Sequence, residues 1–353
     1  MSHADSKTRA RRVWIQASAG SLSRLALVSD QIAAPSPDQV QIRVRACGLN
    51  FADIFAILGL YSATPSGAFT PGLEFSGEIA ALGDIAQQKT GFRVGDRIMG
   101  LTRFGAYTDL INVDYRYIRK IPSSWSFEQG AAFLAQGLTA EYAISDLGSV
   151  KKGETVLVQS AAGGVGLISL FLLEQMGARA IAVVGSPSKI DLLVSRGVER
   201  ERIFLRNAST FGKDLGRAAP DGIDVCLDAV YGPFFQPQYD ALRAGGRYVL
   251  FGAASMMPEG KKPNYLRLAF QYLRRPALDP LGMISDNKSL LAFNLIWLWD
   301  QTDRLSGLAD RLLAYPWQNN PPFVGKVFSF EKAPDALRFF QSGESVGKVV
   351  LSV

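Results

Sequence analysis

The sequence predicts a two-domain α/β protein: a β-rich domain assembled from both ends of the chain, and a doubly wound parallel sheet between them. Three observations predict it. The chain has 353 residues, more than one hydrophobic core ordinarily serves. Its first third consists of short alternating runs cut by glycine and proline, whereas its middle alternates apolar strands with helical stretches. The last segments return to the pattern of the beginning. With 48% hydrophobic and 20% charged residues, the composition is that of a globular chain.

Residues 1–12 read as a flexible basic tail, in which Lys7, Arg9, Arg11 and Arg12 against Asp5 hold half of the formal +6 charge. The single histidine, His3, lies in this tail, so neither a histidine relay nor a histidine-ligated metal is expected. No apolar stretch follows the basic residues, so the tail is not a secretory signal. The β-rich domain is expected over residues 13–127 and 300–353. Val40–Ala46 alternates with period two, and turns recur at Pro35, Pro37, Gly67, Pro71-Gly72, Gly83 and Gly95-Asp96.

The parallel-sheet domain is expected over residues 128–299. Its strands are Thr155–Ser160, Ala178–Val184, Arg202–Leu205, Asp224–Val230, Arg247–Gly252 and Ser289–Ile296, with helices at Val165–Met176 and Ser188–Arg196. A helix follows Asp300 to about Tyr315. The strands Phe323–Phe330 and Lys348–Val353 then rejoin the first domain.

Composition excludes several classes. Two cysteines, Cys47 and Cys226, make neither a disulfide scaffold nor a cysteine-rich zinc module, and they suit a reducing compartment. No concentrated basic patch marks a nucleic-acid face. The most apolar stretch, Leu290–Trp299, is shorter than the roughly 18 residues a spanning helix needs. A cytoplasmic location is expected, or one peripheral to a membrane.

Chemistry enters at Ala161-Ala-Gly-Gly-Val-Gly166, which follows a strand and opens an apolar helix. Gly163 and Gly164 let backbone approach a pyrophosphate, and helix N–H groups meet its charge. Gly166 lets the helix pack closely. Ala162, Gly163, Gly164, Val165 and Gly166 are therefore cofactor-binding candidates, because the motif stands in the strand–helix context it requires. A fold selecting NAD usually places Asp or Glu about 20 residues on, against the ribose 2′-hydroxyl. Here the second strand ends in Val184-Gly185-Ser186, with Lys189 after it. Ser186 and Lys189 can donate to a 2′-phosphate, and Arg206 can stack on adenine or add charge. NADPH is expected over NADH. The lesser alternative is that Lys189 is a solvated residue on a first helical turn.

Five motifs occur in one order: Gly48-Leu-Asn-Phe-Ala-Asp53, Pro71-Gly-Leu-Glu-Phe-Ser-Gly77, Gln136-Gly-Leu-Thr-Ala140, Ala161–Gly166 and Gly347-Lys-Val-Val350. In this the chain resembles the zinc-independent quinone oxidoreductase (zeta-crystallin-like) branch of the medium-chain dehydrogenases/reductases, over nearly its whole length. The segment Leu266–Trp299 is most similar to the VAT-1 homologues. The resemblance implies a GroES-like β-barrel-type domain, a Rossmann domain and a cleft where they meet. It further implies a homodimer formed through the edge of the Rossmann sheet, with Ser289–Ile296 as the edge strand.

Zinc-dependent members carry cysteine where Asn50 stands and Gly-His-Glu where Gly72-Leu73-Glu74 stands, so no metal is expected. Without a Lewis acid, hydride transfer suits an acceptor that spreads its own charge, as a quinone or an α,β-unsaturated carbonyl does. The expected substrate is therefore a small hydrophobic carbonyl or quinone. By resemblance, Asn50 lies beside the nicotinamide, Tyr61 binds the carbonyl or delivers a proton, and Asp53 orients the loop. Thr139 and Lys348 face the cofactor. Asn50 and Asp53 read equally as caps, Tyr61 as packing and Lys348 as an exposed lysine. Glu74 and Asp96 sit in Gly-flanked turns and read as structural. Strand ends at Asp228–Val230 and at Phe251, Gly252 and Ala253 lie where such sheets bind ligands, although Asp228 can simply cap its turn. A second reading, a VAT-1-like nucleotide-binding protein acting on membranes or lipids, rests on Tyr265–Arg275, whose aromatic, leucine and arginine residues suit lipid headgroups.

Overall fold

The computed structural model describes residues 8–353. Its strands are β1 (Arg9–Gln16), β2 (Leu25–Ile32), β3 (Gln39–Gly48), β4 (Glu74–Leu82), β5 (Arg97–Leu101), β6 (Leu110–Asp114), β7 (Ile118–Lys120), β8 (Thr155–Val158), β9 (Arg179–Val184), β10 (Ile203–Leu205), β11 (Ile223–Asp228), β12 (Leu242–Leu250), β13 (Ser289–Ala292), β14 (Val324–Ser329) and β15 (Lys348–Ser352). They divide between two compact units. One comprises residues up to Ala135 with Glu259–Pro263 and Trp299–Val353, and the other comprises Gln136–Pro258 with Asn264–Leu298.

The first unit is built on a mixed sheet of order β14-β15-β3-β4-β5-β7, with β6 also pairing β3. The alternation read in β3 turns Val40, Ile42, Val44 and Ala46 into the core. β15 runs antiparallel to β3, with Val350 opposite Gly48, and β14 lies parallel to β15. Chain positions some 300 apart thus become neighbours in one sheet. β1 and β2 form a separate antiparallel hairpin, on which the Trp14 indole donates to Phe330 O at 3.0 Å.

Three sequence expectations change here. Arg9–Arg12 belong to β1 rather than to a tail, because Arg11 pairs with Asp30 and Arg12 with Asp109 and Glu331. His3 and Lys7 lie outside the described residues. The first unit also extends past residue 127, since Ser76 Oγ donates to Phe127 O and Ala131 packs with Ala46 and Val350. Finally, the segment Glu259–Pro263 leaves the expected Rossmann span. Leu22 N–H donates to Lys261 O at 3.0 Å, and the Gln341 amide donates to Gly260 O at 3.1 Å.

The second unit holds six parallel strands in the order β10-β9-β8-β11-β12-β13, a doubly wound sheet whose strand order reverses between β8 and β11. Its core joins Leu157, Ile181, Val183, Cys226, Phe235 and Tyr248. Several strands stop earlier than expected, each for a local reason. β8 ends before Ser160, whose φ of +51° leaves the strand region. β11 ends at Asp228, because that carboxylate accepts the N–H groups of Val230 and Tyr231. β13 ends at Ala292, after which Asn294 O accepts from Trp297 N–H and the chain coils as Leu295–Leu298.

Candidate functional site

Each unit carries one cluster of the expected site residues. In the first unit, β3 ends at Gly48 and a short helix, Phe51–Ile57, begins after Asn50. Asp53 Oδ2 accepts the Asn50 N–H at 2.8 Å and the Tyr107 hydroxyl at 3.0 Å, so the Asp53 carboxylate closes this helix start. Burial pushes the Asp53 carboxyl up to about 7, against the opposing pull of those two donors and of Lys348. Its other oxygen, Oδ1, is buried without a hydrogen-bond partner among the described residues.

Lys348 is not an exposed lysine. Its side chain is 2% exposed, its ammonium lies 2.7 Å from Glu74 Oε2, and it donates to Asn50 Oδ1 at 2.9 Å. Glu74 Oε1 accepts the Ala135 N–H at 2.9 Å. Gly48 makes room for this assembly: a Cβ there would stand 2.0 Å from Ala131 O and 2.6 Å from Lys348 Cε. Glu74 sits in the structural role read for it, and with a cationic partner that sequence spacing does not reveal. Asp96 is structural as well, accepting the Arg93 N–H at 2.9 Å and pairing with Lys120. Tyr61 lies half-buried in the turn after the helix, where its carbonyl accepts from Thr64 N–H and Oγ1.

In the second unit, the turn Ala161–Gly163 leads into the helix Gly164–Gln175. The helix start has no side-chain cap and no acidic residue in its first turn, so its N–H groups keep their partial positive charge. The three glycines do different work. A Cβ on Gly166 would fall 2.5 Å from Ser160 O, and one on Gly164 would fall 2.2 Å from Gln136 Oε1. Gly164 therefore makes room for the buried Gln136 side chain, whereas Gly163 meets only Ser160 O, at 3.2 Å. Gln136 stood in a motif noted in the sequence, but its place over this turn was not legible there. Thr139 lies half-buried on the same helix, Leu134–Glu141.

Arg206 crosses the carboxyl ends of β8 and β9. Its guanidinium would touch a Cβ on Gly185 at 3.0 Å, lies 3.4 Å from Ser160 Oγ and 3.5 Å from Gln159 Oε1, and stacks over Phe234. No carboxylate lies within ion-pair distance of it among the described residues; burial lowers its pKa, against the weaker pull of the Asp228 charge. Ser186 and Lys189 stand in the next turn, where the two hydroxyls of Ser186 and Ser188 share a hydrogen bond.

Beneath Arg206 runs a buried polar chain. Gln159 donates to Gln238 at 2.8 Å, Gln238 to Tyr248 OH at 3.0 Å, and Tyr248 to Asp228 at 2.5 Å. Asp228 is thus a cap whose carboxyl burial pushes up, and Val230 N–H is spent on it at 2.7 Å. Phe251 N–H likewise donates to Asp228 O, and Gly252 lies close over Ala229 O. Ala253 follows them, at the start of a helical turn.

The residues around Asn50 do not fit a metal. No group of three His, Cys, Asp or Glu side chains among the described residues is placed to hold a metal ion, and the Lys348 ammonium already fills the space between Glu74 and Asn50. A dinucleotide fits better: the open backbone at Gly163, the uncapped helix and the unpaired guanidinium suit phosphate.

Two families match the chain: "Alcohol dehydrogenase GroES-like domain" over residues 36–154 and "Zinc-binding dehydrogenase" over residues 164–278. A curated relative, the synaptic vesicle membrane protein VAT-1 homolog of Homo sapiens, is 32% identical over 319 residues, 90% of this chain and 80% of that protein. Among solved structures, a mycobacterial protein complexed with NADPH superimposes with a TM-score of 0.83 at 26% identity, covering 97% of this chain and 100% of that one. A quinone oxidoreductase of Pseudomonas syringae gives a TM-score of 0.81 at 26% identity, with coverage of 97% and 100%. With a GroES-like domain, a Rossmann-like domain and these relatives, the chain belongs to the medium-chain dehydrogenases/reductases, an oxidoreductase family, in their quinone oxidoreductase and VAT-1-like group.

Proposed function

We propose that this chain is a zinc-independent, NADPH-dependent reductase that passes hydride to a quinone or to an α,β-unsaturated carbonyl. The observation that carries the reading is Arg206, a guanidinium without a carboxylate partner at the ends of β8 and β9. A second strand that ends in Gly185-Ser186 offers no acid to hold a 2′-hydroxyl or to repel a 2′-phosphate. The solved relative with NADPH supports the same cofactor.

When bound, the reduced nicotinamide supplies the hydride. Asn50 offers N–H donors to a carbonyl oxygen as negative charge develops on it. Tyr61 either donates a proton or a hydrogen bond to that oxygen, and Asp53 holds the loop through the Asn50 N–H. NADPH oxidation, followed across a panel of quinones and enones, tests the reading; absence of turnover with every acceptor would reject it. Tyr61→Phe should leave NADPH affinity nearly unchanged. About a hundredfold fall in turnover would assign proton transfer to Tyr61, and a fall of tenfold or less would assign a hydrogen bond.

One observation favours the second reading, a VAT-1-like protein acting at a membrane. The helix Tyr265–Leu273 has no buried residue, and Leu266 and Leu273 are 86% and 80% exposed. From Asn264 to Leu278 the chain carries Arg267, Arg274 and Arg275 without one acidic residue. Such a surface suits anionic lipid headgroups. No helix among the described residues is long and apolar enough to cross a membrane. Flotation with phosphatidylserine vesicles, compared with neutral ones, separates this reading from the first.

A further inference from the structure

Asn50 presents an amide whose oxygen and nitrogen ends have nearly the same shape, so a free asparagine can offer a ligand either an acceptor or a donor. Here the choice is made from below. An ammonium has only donors, so the atom that faces Lys348 Nζ at 2.9 Å is the Asn50 oxygen. The NH2 end is thereby turned the other way. It donates at 3.3 Å to Gly48 O, and its remaining N–H has no bond among the described residues. The backbone is fixed too, since Asn50 N–H donates to Asp53 at 2.8 Å and Asp53 N–H donates to Asn50 O at 3.0 Å.

We propose that Lys348, anchored by Glu74, is a positioning residue that makes Asn50 a donor-only amide toward the substrate. The pair is poorly explained as a stability device. A buried lysine–carboxylate pair gives up two hydration shells, and apolar residues of the same volume serve a core as well or better. Lys348 and Glu74 are 2% and 0% exposed at their side chains, and the sheet leaves room for the lysine stem only by keeping residue 48 a glycine. What the pair does supply is direction and polarity: an ammonium on the amide oxygen strengthens its N–H groups as donors. A donor-only site selects an electron-rich oxygen, such as a quinone or enone carbonyl, and disfavours a hydroxyl that must itself donate. The orientation of Asn50 stands independently of the reaction; its effect on turnover rests on the reductase reading.

The test removes both charges together, as Lys348→Met with Glu74→Gln, so that no buried charge is left alone and the Ala135 N–H keeps an oxygen to donate to. The double variant should fold with an unchanged or raised melting temperature, and fluorescence titration with NADPH separates any effect on the cofactor from the effect on the acceptor. Its kcat/KM for the acceptor should fall roughly tenfold, the worth of one hydrogen bond. In an Asn50→Ala background the same pair of changes should lower kcat/KM by less than about threefold, because residues acting as a unit are not additive. Effects that multiply independently would overturn the proposal.

A second readout needs no turnover. In protein labelled with 15N-asparagine, the Asn50 carboxamide signal, identified by its loss in Asn50→Ala, should shift and exchange faster in the double variant. An unmoved signal would overturn the orientation, whereas silent turnover in the wild type would count only against the reductase reading. Should the double variant not fold, Asn50→Asp keeps an oxygen toward Lys348 but has no N–H to offer. It should fold and lose as much turnover as Asn50→Ala, and retained activity would show that no donor is needed there.

Discussion

Asp53 holds a carboxyl that burial raises from 3.8 to about 7, with Lys348, Glu74, Tyr107 and Cys47 as its charged or titratable neighbours. A carboxyl raised in the folded state binds its proton more tightly there than in the unfolded chain. Its stabilising contribution is therefore complete below about pH 4 and is lost as pH rises to about 7, with a ceiling of about 4 kcal/mol. Asp53→Asn keeps an oxygen for Asn50 and Tyr107 without that charge. Its melting temperature should exceed the wild type's at pH 8, and the gap should close toward pH 4; a gap independent of pH would show that Asp53 is not the titrating group. Arg206 and Lys189 make a second pair to compare. Either one, changed to Ala, should weaken NADPH more than NADH, by roughly ten- to a hundredfold if it meets the 2′-phosphate. Equal losses for both cofactors would assign that residue to packing.

The turn between β8 and the helix Gly164–Gln175 can be taken apart glycine by glycine. Gly166→Ala would press a methyl into Ser160 O, so the helix start must shift, and about 1–3 kcal/mol of stability should be lost. Gly163 has φ −82° and one close neighbour, Ser160 O at 3.2 Å, so Gly163→Ala should cost less stability than Gly166→Ala and lose dinucleotide affinity. If both variants behaved alike in melting and titration, the division of labour between these glycines would be wrong. This turn was legible in the sequence because a strand, a glycine cluster and an apolar helix are consecutive. So were the six parallel strands, whose apolar runs are written locally. Lys348 was not: its burial depends on Glu74, which is brought beside it by strand pairing across the whole chain. Arg206 was read in the sequence as a charge or an adenine stack at the end of the next strand, but the place of its guanidinium beside Gln159 and Ser160 is a property of the folded unit. The ends of β8, β11 and β13 were missed because one positive φ, one side chain and one backbone turn stop them, decisions that hydrophobic periodicity does not record.

At the scale of the molecule, the six-stranded sheet leaves β13 at its edge, with Leu290 and Leu291 half-buried and unpaired on one side. A short apolar edge is suited to pairing with the same strand of a second copy, in line with the homodimer implied by the family resemblance. Sedimentation at micromolar concentration should give twice the mass of the 38.3 kDa chain; a single chain would mean that the edge stays open or is met by another partner.

β15 is an interior strand of its sheet, between β14 and β3, although it comes after every other strand in the chain. During synthesis, then, the six-stranded unit has all its strands outside the ribosome while the other sheet still lacks an inner member. Until residues 348–352 emerge, β3 and β14 have an empty lane between them, and Glu74 and Asn50 wait for the ammonium that joins them. The nascent chain is thus exposed to pairing errors longest in the unit whose first strands are made earliest, and the closing of that lane and the assembly of the Asn50 site become one event.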